Sequence, residues 1–232
     1  MNYFAHAVRH LDRPYFVAGT ALPDWLSVVE RKVRFRERFA RPLADGSGSP
    51  AAEIAAGVLQ HHHDDHWFHG TQAFHEVSGR LTVRFRELLP GPFDHRPSFL
   101  GHIVTELLLD AELISRFPER IDAYYRLFDQ IDPRLVQQTV QAAVPHVNTL
   151  PVDSMFGRLG EFIPLFCRER FLYDYVDPER LVVRLNQVLR RVKLPPLPET
   201  AVTLLAEARR VVSPRVQDLL LHFDHPFRAI VA

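Results

Sequence analysis

The sequence predicts an all-α protein, a compact multi-helix bundle, and three observations carry that expectation. Apolar residues recur at three- and four-residue steps along most of the chain, the spacing that gathers them on one helix face. Alternating runs rich in β-branched residues, which would mark strands, are scarce. Pro14, Pro23, Pro90, Pro92, Pro118, Pro133 and Pro178 fall at breaks in the pattern, where a residue without an amide proton opens or stops a helix.

Helices are expected over residues 2–11, 14–29, 51–70, 71–89, 97–116, 118–130, 133–144, 152–175, 178–192 and 198–222. Asp132 before Pro133 and Asp177 before Pro178 are N-caps, each able to accept a bond from a first-turn amide. Asp45-Gly46-Ser47-Gly48-Ser49-Pro50 has the composition of a surface loop. The stiff run Leu194-Pro195-Pro196-Leu197-Pro198 is expected to set residues 194–232 apart as a C-terminal helical appendage on a single domain of residues 1–193.

With 232 residues, 47% hydrophobic and 24% charged, the chain has enough apolar content for a large core, which excludes disorder for most of it. Its 28 basic residues balance 28 acidic ones, so no overall field draws it to nucleic acid or to an anionic membrane. The single cysteine, Cys167, can form neither an internal disulfide nor a thiolate cage, and its apolar surroundings from Phe162 to Phe171 suggest a buried, inert thiol. The start, Met1-Asn2-Tyr3-Phe4-Ala5-His6, lacks the pattern of a secretory signal, and no run approaches the roughly 18 apolar residues of a membrane span. A cytoplasmic protein without a membrane span is expected, its oligomeric state left open.

The chemistry concentrates in histidine. Of 13 histidines, six lie between positions 61 and 75: His61, His62, His63, His66, His69 and His75. Residues four apart share a helix face, so His61, Asp65 and His69 form one ladder, with His62 and His66 beside it. Imidazoles and a carboxylate on one face suit zinc, iron or manganese, whereas calcium wants oxygen ligands only. The plainer alternative is a solvated polar helix face. Trp67, Phe68 and Phe74 interrupt any clean solvent face, however, and an imidazole buried among them needs a partner. A second row, His102, Glu106 and Asp110, crosses an otherwise apolar helix as either a water-facing edge or an inward ligand stripe. His6 and Asp24 are single candidates. The first could be an ordinary partly buried histidine, the second a helix-terminus residue.

The order of these elements resembles the acyl carrier protein phosphodiesterase family: the Met1-to-His6 start, the Gly19-to-Trp25 element, the Gly57-to-His69 helix with His61 and Asp65 one turn apart, and the later helix with His102 and Glu106. The resemblance covers about the first 115 residues. It implies a bundle like that of the HD-type metal-dependent phosphohydrolases, and the same order is also similar to zinc-dependent phospholipase C. Thr20 stands where that family has Asn, and Leu107 where it has a final His. What the resemblance implies is a phosphodiester hydrolase in which His6, Asp24, His61, Asp65, His102 and Glu106 hold one or two divalent ions of manganese, iron, zinc or magnesium. Asp65, His69 and Glu106 would be catalytic, and His62, His66 and Asp110 would be supporting or alternative ligands. The substrate would be a phosphopantetheine-type or other small phosphodiester, or an acidic carrier protein would be the partner. Arg31, Arg34 and Arg38, in the basic stretch Glu30 to Arg41, are placed to hold phosphate or that partner unless they are simply a solvated charged face. The rival readings are a non-catalytic helical binding or scaffold protein with a vestigial metal site and a phospholipase C-like esterase.

Overall fold

The computed structural model describes residues 1–89, 91, 96–145, 147 and 155–220, and among them twelve α-helices occur and no strand. In order these are α1 (Tyr3–Ala7), α2 (Pro14–Val29), α3 (Glu37–Ala40), α4 (Pro50–Gly70), α5 (Gln72–Leu88) and α6 (Arg96–Arg116). The second half of the chain adds α7 (Pro118–Leu127), α8 (Pro133–Ala143), α9 (Leu159–Glu169), α10 (Pro178–Arg191), α11 (Ala201–Val212) and α12 (Val216–Leu220). The all-α expectation holds. Among these residues no helix is long and apolar enough to cross a membrane.

The caps act as the sequence implies. Asp132 accepts from the Arg134 amide at 2.9 Å, and Asp177 accepts from the Glu179 and Arg180 amides at 2.9 and 3.1 Å. Four expectations are corrected. The first helix ends at Ala7, because His10 and Arg13 donate their amides to the Ala7 and His10 carbonyls in tight turns. Pro23 stops nothing: α2 runs through it, giving up only the bond that the Gly19 carbonyl would accept. The helix expected over 152–175 ends at Glu169, because Arg170 takes a left-handed φ of 43°, and a 3-10 turn follows from Phe171 to Val176. The last one begins at Ala201 and is interrupted at Ser213–Arg215 around Pro214. Pro90, Pro92 and the expected helical residues 152–154 and 221–222 lie outside the described residues.

The chain divides into two packed units, one of Tyr3–His66 with Pro118–Arg170, the other of Met1–Asn2, Trp67–Phe117 and Phe171–Ala232. In the first, α1 packs on α2 and α7, α2 on α9, and α8 on α9. Their aromatic core centres on Trp25, fully buried, with Phe166 and Phe128 at 5.4 and 5.5 Å between ring centroids. Here α2 and α4 touch backbone to backbone. A Cβ on Gly19 would sit 2.2 Å from the Ile54 carbonyl oxygen, and one on Gly57 would sit 2.0 Å from that of Phe16, so only glycine fits at either position.

In the second unit α5 and α6 pack along each other, with α11 against both and α10 against α11. Gly101 permits the approach, since a Cβ there would lie 2.6 Å from the Ser78 carbonyl oxygen. Glu112, buried on α6, accepts from Arg209 Nε and Ser213 Oγ at 2.8 Å each and ties α6 to the end of α11.

Candidate metal centre

In the first unit, the α2–α4 backbone contact decides where His61 can point. Sitting one turn after Gly57, the His61 ring is buried, and its Nδ1 donates to the Thr20 carbonyl at 2.9 Å. From α1, His6 stacks on it with centroids 4.3 Å apart and planes 29° apart. The Nδ1 of His6 donates to Asp64 Oδ2 at 3.0 Å, and Gln60 holds the other oxygen of that carboxylate at 2.7 Å. Both rings are thereby fixed through Nδ1. Their Nε2 atoms face Asp65 from two sides, His6 at 3.4 Å from Oδ1 and His61 at 3.3 Å from Oδ2.

Charge in this group is finely opposed. Burial works against a protonated His6, but the adjacent Asp64 and Asp65 carboxylates outweigh it and raise the imidazole to about 9. Burial likewise disfavours a charged Asp65, and the two imidazoles overcome it, holding the carboxyl well below its usual range. Among the described residues the buried Nε2 of His6 meets the geometry of no hydrogen bond, Asp65 Oδ1 lying 3.4 Å away. A cation bound at that nitrogen would compete with the proton that the two carboxylates favour on this ring.

The second unit holds a similar set. His69 in the last turn of α4 places Nε2 2.7 Å from Glu106 Oε1, and His102, one turn before Glu106 on α6, places its Nε2 3.3 Å from the same oxygen. The Met1 amino group is 3.2 Å from it as well. Burial would raise Glu106, but the Met1 ammonium and the His102 and His69 imidazoles hold it below the usual carboxylate range.

Among the described residues, then, two groups could hold a metal ion, His6–His61–Asp65 and His69–His102–Glu106, each with its ligand atoms within 4.8 Å of one another. Five of the six residues expected to share ions are thus sorted into two sets, and His69 joins one of them. Asp24 belongs to neither: it lies on α2, where its carbonyl accepts from Ser27 Oγ at 2.7 Å. Asp110 is fully buried on α6 and also belongs to neither. His62 donates its Nε2 proton to the Phe35 carbonyl at 2.9 Å, and His66 is exposed.

That His62 bond anchors the arginine-rich segment beside α4. Within the segment only Glu37–Ala40 is helical; Val33 and Phe35 turn inward while Arg31, Arg34 and Arg38 are exposed. Cys167 is half-buried, not fully buried, with a thiol pushed up to about 12 by burial and by Asp129. That shift favours the neutral thiol, the form less able to attack as a nucleophile.

The residue sequence reasoning missed is Asp64. A four-residue step leads from His61 to Asp65, but the buried face of α4 also advances by three, through Ile54, Gly57, His61, Asp64 and Phe68. Exchanging Asp64→Asn keeps the size and removes the charge that orients His6. Metal affinity, measured by competition with a chelator, is expected to fall by about 10–100-fold. No family model, no curated protein and no solved structure matches this chain, so the two donor groups carry the functional argument.

Proposed function

We propose that the chain is a metal-dependent phosphodiester hydrolase whose ion is held by His6, His61 and Asp65. One observation carries this reading: both imidazoles are clamped through Nδ1, by Asp64 and by the Thr20 carbonyl, with both Nε2 atoms turned to one carboxylate. Such clamps set the tautomer and aim of a ligating histidine. Three protein ligands leave coordination positions for water and substrate, as catalytic sites do and closed structural sites do not. The Asp65 side chain, 31% exposed, gives the group its access to solvent.

Two nitrogens and an oxygen favour manganese, iron or zinc, and magnesium, which prefers oxygen, fits least well. When bound, such an ion supplies Lewis acidity toward the phosphoryl group and the attacking water. Asp64 keeps the His6 Nδ1 proton in place and the Thr20 carbonyl keeps that of His61. The exposed Arg31, Arg34 and Arg38 supply forked cationic donors for phosphate or for an acidic carrier protein, on a segment tied to α4. The ordered resemblance to the acyl carrier protein phosphodiesterase family supports a phosphopantetheine-type or other small phosphodiester as substrate.

A second reading, a helical binding protein with an ion that does no chemistry, is favoured by the complete burial of the His6 side chain. Turnover separates the two. Purified protein incubated with manganese, iron or zinc is expected to retain stoichiometric metal and to hydrolyse bis(p-nitrophenyl) phosphate, with rates that fall as salt screens the arginines. Protein that retains no metal sinks the site, and metal retained without turnover of this ester or a phosphopantetheine diester sinks the hydrolase.

A further inference from the structure

We propose that His69, His102 and Glu106 form a second cation site, separate in its ligands from the first, that takes an exchangeable zinc-class ion and clamps the end of α4 to α6. The chain builds this group by simple means. Thr71 caps α5 directly after α4, its hydroxyl accepting from the Phe74 amide at 3.2 Å, so a new helix starts just beyond His69. Gly101 lets α6 lie against α5, and the next residue is His102. Glu106 follows one turn later on the same face.

The rings are held by packing. Phe74, nearly buried, has its centroid 4.9 Å from each imidazole, and the two imidazole centroids are 4.6 Å apart. Both Nε2 atoms are directed at Glu106 Oε1, and the three ligand atoms lie within 4.8 Å of one another. Two imidazoles and a carboxylate match the donors of zinc and its neighbours and offer too few oxygens for calcium or magnesium.

Exposure distinguishes this site from the first. The His69 and His102 side chains are 32% and 47% exposed, against 0% and 6% for His6 and His61. Ions can therefore enter and leave the second group from solvent without opening the fold. Its rings lean on Phe74, whereas those of the first are held by hydrogen bonds through Nδ1, an arrangement that strengthens metal affinity. Weaker binding and faster exchange follow.

The test is equilibrium dialysis of metal-free full-length protein against zinc, with cobalt(II) absorption as a second readout. Wild type is expected to take up two equivalents, one of them removed at least tenfold faster by a chelator. His102→Ala and Glu106→Gln should each lose that fast equivalent and keep the slow one. His61→Ala should lose the slow equivalent and keep the fast one. This last arm also makes failure of the proposal distinguishable from failure of the hydrolase reading. Should His102→Ala fail to fold by circular dichroism, His69→Gln supplies the same comparison. One equivalent in the wild type that survives His102→Ala would overturn the proposal, as would two equivalents that survive both second-site variants.

Discussion

Alanine in place of His61 is expected to lower metal-dependent phosphodiester turnover by about a thousandfold or more, and to strip the first site of its ion. An ion at the phosphoryl group stabilises the transition state by several kcal/mol, and each 1.4 kcal/mol is worth roughly tenfold in rate. Asp65→Asn should match it, because the amide removes the one anionic ligand between the two imidazoles. The comparison that gives this result meaning is His66→Ala. That residue is exposed on the same helix and belongs to neither donor group, so rate and metal content should stay within about twofold of wild type. Initial rates, bound metal and circular dichroism on the three variants decide the matter. A His61→Ala protein that is folded and fully active would remove His61 from the chemistry.

The largest expected effect on stability comes from a single methyl group. Gly57→Ala would place a Cβ 2.0 Å from the Phe16 carbonyl oxygen, an overlap of backbone that no rotamer can relieve. The helices α2 and α4 must separate, at a cost of about 3 kcal/mol or more. In a chain of this size that corresponds to a fall of roughly 6–12 °C in apparent Tm. Metal affinity should fall with it, because separating the helices draws the Thr20 carbonyl away from His61. Gly79→Ala is the counterpart. It is exposed in α5, nothing lies within 4 Å of its added Cβ, and alanine there should stabilise by about 0.5–1 kcal/mol. Equal thermal shifts for the two variants would refute the close-contact argument.

Much of this architecture is written in short-range patterns. Apolar spacing, the Asp132 and Asp177 caps and the prolines at 14, 118, 133 and 178 are local signals, and each marks a real helix boundary. What escaped is what depends on the rest of the molecule. Pro23 stays inside α2 because the helix buries Leu22, Trp25 and Leu26 around it, and that packing outweighs one missing bond. The left-handed turn at Arg170 has no glycine to announce it. Of the site, the chemistry of the donors was legible, and so was the pairing of His61 with Asp65 across one turn. The sorting of the donors into two groups was not, because it is settled by which helices can approach, and that is decided by Gly19, Gly57 and Gly101. Asp64 is hidden for a simpler reason: a helix face has two natural steps, and the four-residue one from His61 leads past Asp64 to Asp65.

Holding an imidazole by a main-chain oxygen has an evolutionary corollary. Every residue type carries the atom that aims His61, so mutation at position 20 can alter the filling of the core but cannot delete the acceptor. A threonine there is chemically silent toward the ring. The part of the pattern under tightest selection should instead be the pair of glycines that carry no functional group at all.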